Sequence, residues 1–450
     1  MSLEQLRQRL DTVVAACMAG HNVAGIAYAV VKDRAVAFDQ CHGLADRERD
    51  LPITDETVFC VGSIAKTATA LGVLMLAESG RVDLDAPVQR YLTRWRLPAS
   101  RHDCDGVTAR RLLSHTAGLS VSSFAADGFA PDAQRPDLVD MLSGTNGADQ
   151  PVLLDEPPGA RWRYSGGGFG VLQLMVEEVT GRDFAAHMHS ALFEPLGMRS
   201  TGFGPPPTLR GRCATPYDTD GACLPQREWV VLAAGGLYSS LADLPVLVTL
   251  LAGGDTNAPV SPAAVTLMGR AVAPATAYGL GIRLAMHGDR TFLNHSGRNP
   301  GWYAHLALEP SRGDGLVVLT NSANGALLTQ WIADEWQAHA LGQPGAWEPP
   351  RRPIQLQAGA LRRVTGDYLD ARGNRFSIVE RGGTLVSLVE GSPVVLLPLS
   401  DCVFFTAAAR MTFHFEFDAN GVAYVLRLRY GGDREHRAAR VPAQQTGGSA

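Results

Sequence analysis

Apolar positions along this chain change their period several times, and each change marks a different kind of element. Over residues 3–18 the side chains of Leu6, Leu10, Val13, Val14 and Cys17 fall on one side of a 3.6-residue repeat, which predicts an amphipathic helix. Two short apolar runs follow, residues 25–31 and 35–40, separated by Lys32-Asp33-Arg34 in the manner of a β-hairpin. Residues 67–79 are apolar nearly all round and end at Gly80, a glycine where a helix C-terminal cap belongs. This predicts a buried helix that emerges from an apolar loop and carries Ser63 in its first turn. Further helices are expected over 108–114 and 169–180, the second with Val171, Leu172, Met175, Val176 and Val179 at helical spacing, and over 326–339. Residues 291–295, 303–308 and 315–321 read as strands.

These segments fit an α/β (α+β) domain over residues 1–342. The early hairpin and the late strands would form one antiparallel sheet covered by the terminal helices, with a mostly helical subdomain inserted between them. Residues 343–358 hold Pro344, Pro349, Pro350 and Pro353, which a helix interior does not accept, and read as a linker. Beyond it, over 359–450, the period shortens to two. Strands are expected at 376–379, 384–389, 394–397, 412–417 and 422–430. Phe413, Phe415 and Phe417 alternate with Thr412, His414 and Glu416, and Asp418-Ala419-Asn420-Gly421 supplies a turn, so the end of the chain should be a small antiparallel β-barrel-like domain.

Composition narrows the class of partner. With 450 residues, 46% of them hydrophobic, the chain can bury a large core. A formal net charge of −5 without a long basic run gives no electrostatic reason to expect nucleic acid. No run approaches the roughly 18 apolar residues of a membrane span, and the N-terminal segment lacks the basic, apolar, small-residue order of a signal peptide. The seven cysteines are scattered and odd in number, so a cytoplasmic protein with reduced thiols is expected. His187 and His189 stand two apart on an expected helix, point to different faces and lack further ligands nearby, so no metal or other cofactor is expected. Oligomeric state is left open.

The candidate chemistry begins at Ser63-Ile64-Ala65-Lys66, which places a hydroxyl and an amine three residues apart, within reach on one helix face. Further along stand Leu113-Ser114-His115-Thr116-Ala117-Gly118-Leu119, Tyr164-Ser165-Gly166-Gly167-Gly168, Gly235-Gly236-Leu237-Tyr238-Ser239-Ser240 and His295-Ser296-Gly297-Arg298-Asn299-Pro300-Gly301. Together and in this order they resemble the serine β-lactamase and penicillin-binding-protein superfamily, and more closely its class C β-lactamase-like branch of esterases, D-aminopeptidases, amidases and acyltransferases. The resemblance covers about residues 5–340. It implies that Ser63 is a nucleophile, that Lys66 and Tyr164 move its proton, and that the amides of Ser63 and Arg298 form an oxyanion hole. His295, Ser296, Gly297, Gly166 and Trp302 would line the substrate site, with Tyr238 and Tyr303 as further pocket candidates. The barrel-like end resembles the lipocalin-like domains attached to some family members.

Two departures from the family pattern bear on substrate. Gly166 stands where Tyr-x-Asn has its asparagine, and His295 stands where Lys-Thr-Gly has its lysine. A neutral imidazole in place of a permanent cation weakens the case for β-lactam hydrolysis. The expectation is a serine hydrolase acting on a small ester, amide or short peptide. Acyl transfer to another acceptor and β-lactamase or penicillin-binding activity remain alternatives on the same fold, and a non-catalytic binding or sensor protein remains one from another class.

Overall fold

The first hairpin forms as its pattern predicts, and its turn shows why. Strand β1 (Gly25–Lys32) pairs antiparallel with β2 (Ala35–Asp46) across Asp33 and Arg34, whose φ values of 50° and 69° give the turn the twist a two-residue hairpin needs. Side chains of β1 alternate between two cores: Ile26, Tyr28 and Val30 face one, Ala27, Ala29 and Val31 the other. A strand buried on both faces has no polar side, hence its continuous apolar run. The computed structural model describes residues 1–441 apart from 125–127, 132, 149, 206, 255–257, 273–275, 346, 348–352, 358, 372, 382, 390–391, 407–410 and 431–433.

The hairpin belongs to a seven-stranded antiparallel sheet. Its order is β3 (Leu51–Pro52), β2, β1, β10 (Asp314–Thr320), β9 (Trp302–Glu309), β8 (Arg290–Asn299) and β7 (Arg283–His287). Helices Leu3–His21 and Gly325–Leu341 cover one face, where Leu6, Leu10, Val13, Val14, Leu328, Ile332 and Trp336 meet Tyr28, Phe292 and Val318. Each such leucine or valine, fully buried, contributes roughly 1.5–3 kcal/mol. The opposite face carries the helical subdomain, including Ala65–Glu78, Gly166–Thr180 and Leu244–Leu251. The apolar run before Ser63, expected as a loop, is instead strand β4 (Val58–Gly62). It pairs with β6 (Leu237–Ser240), which pairs in turn with β5 (Gly202–Phe203). All five residues of β4 are buried, so burial rather than loop geometry explains their composition.

The chain divides into two compact units, Met1–Trp347 and Glu348–Ala450. Pro349 and Pro350 of the expected linker lie outside the described residues. The second unit contains a closed eight-stranded antiparallel barrel running from Gly366–Asp370 to Arg434–Arg440, whose last strand pairs back to its first. Five of these strands are those the alternation predicts. Gly366–Asp370, Val403–Phe405 and Arg434–Arg440 are additional. The last reads Arg-Glu-His-Arg-Ala-Ala-Arg and has poor strand propensity, yet partners on both sides hold it extended. Tyr368, Phe404, Phe413, Phe415, Leu426 and Leu428 fill the interior. The turn at 418–421 closes with Gly421 at φ 74°. No described helix is long and apolar enough to cross a membrane.

Candidate active site

Ser63 sits where β4 ends and a helix begins, though not in the helix's first turn as the pattern predicts. The helix is Ala65–Glu78, and Ser63 precedes its cap residue Ile64. A tight turn joins them, with the Lys66 amide donating to the Ser63 carbonyl at 3.0 Å. The three-residue spacing therefore still brings the side chains together, and Lys66 Nζ lies 3.2 Å from Ser63 Oγ. Tyr164 OH lies 2.9 Å from the same oxygen. Lys66 is only 2% exposed. Its Nζ also donates to the Ala234 carbonyl and lies 4.9 Å and 5.4 Å from the ring centres of Tyr164 and Phe169. Among the described residues no carboxylate pairs with it. Electron-rich ring faces and a carbonyl replace the solvent it has lost.

Tyr164 is held in place by the residues next to it in the chain. Ser165 caps the helix Gly166–Thr180, its hydroxyl accepting from the Gly168 amide at 3.0 Å and donating to the Ser120 carbonyl at 2.8 Å. Gly166-Gly167-Gly168 thus form the first turn of that helix rather than a loop before it. Backbone approaches closely here: the Gly166 and Gly167 amides each reach a carbonyl of the 121–122 segment at 3.0 Å. A Cβ on Gly167 would stand 2.9 Å from Val152, and one on Gly166 3.0 Å from the Ser122 carbonyl. The asparagine of the family pattern would press on that carbonyl.

On the other side of Ser63 two backbones cross. Gly62, with φ 52°, has no room for a Cβ, which would stand 2.6 Å from the Arg298 nitrogen. A Cβ on Gly297 would stand 1.8 Å from the Val61 carbonyl and 3.0 Å from the Ser63 nitrogen. Two glycines therefore let β8 lie against the end of β4 and bring the amides of Ser63 and Arg298 into one small region. The Arg298 side chain is exposed. Asn299 ties the crossing together, donating to Gly235 O at 3.0 Å with Cys60 Sγ 2.9 Å away.

His295 is buried on β8, with Nδ1 2.8 Å from the Ser296 carbonyl and Nε2 3.0 Å from Tyr278 OH. Those partners assign the proton to Nδ1 and leave Nε2 to accept from the phenol. Burial, and after it the Lys66 charge, pushes its pKa down to about 3, so the imidazole is neutral. Ser296 Oγ lies 2.9 Å from His305 Nδ1. Trp302, expected to line the substrate site, is 4% exposed and packs edge-on to Phe59. Tyr238 is likewise core, 1% exposed, its hydroxyl donating to the Arg227 carbonyl at 3.2 Å. Both lie on strands whose inner faces fill the main core.

Residues 10–337 match the family model described as Beta-lactamase. The chain belongs to that family. Esterase EstB from Burkholderia gladioli is 33% identical over 203 residues, 44% of this chain and 52% of the esterase, so the match spans about half of that relative's length. Penicillin-binding protein 4 from Amycolatopsis lactamdurans is 28% identical over 366 residues, covering 76% of this chain and 92% of its own. Among solved structures, the octameric penicillin-binding protein homologue from Pyrococcus abyssi superposes with a TM-score of 0.65 at 23% identity, over 96% of this chain and 99% of that one. At that identity the likeness shows the fold.

In this member of the Beta-lactamase family the site also includes residues that sequence reasoning did not single out. Tyr278 is buried behind His295, and Trp162 and Arg283 stand beside it, the guanidinium 5.8 Å from the Trp162 ring. A signal for Tyr278 was present in Tyr278-Gly279-Leu280-Gly281. A Cβ on Gly279 would stand 1.9 Å from the Met268 carbonyl and one on Gly281 2.6 Å from Ala70, so these glycines mark a tyrosine threaded between close backbones. Gly62 and the Ala234 carbonyl carried no comparable mark. Among the described residues, no group of His, Cys, Asp or Glu could hold a metal ion.

Proposed function

We propose that the protein is a serine hydrolase that cleaves a small ester, amide or peptide bond through an acyl-enzyme on Ser63. The observation that carries this reading is the approach of Lys66 Nζ and Tyr164 OH, at 3.2 Å and 2.9 Å, to one serine oxygen. Holding one proton fewer than an ammonium and a phenol together, Lys66 and Tyr164 act as a coupled pair that takes the Ser63 proton as its oxygen attacks the carbonyl carbon. Negative charge on the carbonyl oxygen is received by the amides of Ser63 and Arg298, a kind of donor whose loss generally costs on the order of 10²–10³ in rate. The proton then passes through Tyr164 to the leaving group, and water takes the place of that group to release the acid. His295, neutral and engaged with Tyr278 and Ser296, offers no fixed cation to a substrate carboxylate, which supports esters and amides over penicillins. Names among the relatives include an esterase and a penicillin-binding protein, which supports acyl chemistry in general.

The test is turnover of p-nitrophenyl butyrate, D-alanine p-nitroanilide and nitrocefin by wild type and Ser63→Ala. Ester or anilide turnover by wild type alone is the expected result. Preference for nitrocefin would overturn the substrate argument from His295. Equal turnover by the variant, or none by either protein, would overturn the hydrolase reading itself.

A further inference from the structure

Tyr164 must hold its hydroxyl on Ser63, and His115 meets both its ring and the backbone on either side of it. The His115 carbonyl accepts from the Arg163 amide at 2.8 Å, and its Nδ1 accepts from the Ser165 amide at 3.1 Å. The backbone amides of the residues before and after Tyr164 are thus both held by one residue. The imidazole also lies against the phenol ring, with centroids 4.3 Å apart, and packs on Tyr278 and Phe169 at 4.9 Å and 5.3 Å. His115 is 2% exposed and takes φ 57°, a left-handed conformation that strains a non-glycine residue. Such strain persists where surrounding contacts over-determine it.

We infer that His115 is a positioning residue that sets the Tyr164 phenol on Ser63. The inference rests on the role proposed for Tyr164. The ring has to be neutral to do this, because a proton on Nδ1 would turn the acceptor for Ser165 N–H into a donor facing it. Burial, and after it the charges of Lys66 and Arg283, holds His115 well below the usual imidazole range, which keeps that acceptor in place. The wall continues through Tyr278 to His295 on β8, so the phenol and the strand carrying Arg298 share one packed aromatic support. Displacing a reacting group by about 1 Å can cost on the order of a hundredfold in rate. A ring that merely fills space would be replaceable by another ring.

The experiment uses the full chain labelled with 3-fluorotyrosine, with the Tyr164 resonance assigned by its loss in Tyr164→Phe. In His115→Phe, which keeps a ring and removes the acceptor, the Tyr164 resonance should shift or broaden. Ester kcat should fall at least roughly tenfold with KM within about threefold. In His115→Asn, which tolerates the left-handed backbone and offers an oxygen to Ser165, part of both should return. An unchanged Tyr164 resonance and kcat in folded His115→Phe would overturn the inference, and so would a loss that His115→Asn does not relieve. The resonance is read without any substrate, so an inactive wild type would defeat the hydrolase reading while leaving the positioning claim to be decided by the spectrum.

Discussion

Under the proposed mechanism the two sides of Ser63 solve different problems with different materials. On one side Lys66 and Tyr164 reach the hydroxyl with side chains, and the supports behind them are rings, caps and carbonyls. On the other side, two glycines let β4 and β8 come close enough to bring backbone amides together, and the Asn299 side chain ties the crossing from behind. Moving a proton needs groups that titrate. Receiving an oxyanion needs fixed dipoles that do not. The first side therefore depends on residue identity, and the second on the absence of a Cβ.

Substitutions should separate the two sides, beginning with the most severe. Ser63→Ala should abolish ester turnover while leaving the melting temperature near wild type, because a half-buried hydroxyl contributes little to stability; steady-state assays and thermal melts check both. Tyr164→Phe should lower kcat on the order of 10²–10⁴ with KM little changed, the range general acid–base groups contribute. Gly297→Ala should lower kcat on the order of 10²–10³ and, unlike the first two, also lower the melting temperature, since its Cβ would meet the Val61 carbonyl at 1.8 Å. A Gly297→Ala enzyme with normal kcat would break the comparison. His295→Lys should shift relative kcat/KM toward carboxylate-bearing substrates, and no gain for them would remove His295 from substrate selection.

The smallest effect is on stability against pH. The His295 pKa is about 3 in the folded protein, below the roughly 6.5 of an unfolded chain. Between those values the unfolded chain binds more protons, so stability is fully present above about pH 6.5 and falls as pH drops toward 3. His295→Gln removes one such group. Its melting temperature should fall less than that of wild type between pH 7 and pH 5.

Much of the fold is legible in the sequence because burial dictates it. The run from Gly25 to Val31, the helical stripe of Leu6, Leu10 and Val13, and the Phe413–Phe417 alternation each report which faces are covered. Strand Arg434–Arg440 is not legible, since its conformation comes from barrel neighbours and not from its own residues. Strand β4 reads as a loop in the sequence because five buried residues show no period. At the site, the Ser63 and Lys66 spacing survives a change of local geometry from helix to tight turn, since three residues bring the side chains together in either. Trp302 and Tyr238 are not separable from pocket residues by sequence, because aromatic side chains suit a core as well as a cleft. His115 stands in one of the motifs that carry the resemblance, but its contact with Tyr164, like that of Tyr278 with His295, comes only from the folded arrangement.

The most direct measurement is intact-protein mass spectrometry, with peptide mapping, of wild type and Ser63→Ala quenched shortly after mixing with p-nitrophenyl butyrate. The predicted result is a butyryl adduct in wild type alone, located on the peptide that carries Ser63. An adduct of equal yield in Ser63→Ala, or one mapped to another residue while the ester is turned over, would contradict the assignment of Ser63 as the nucleophile.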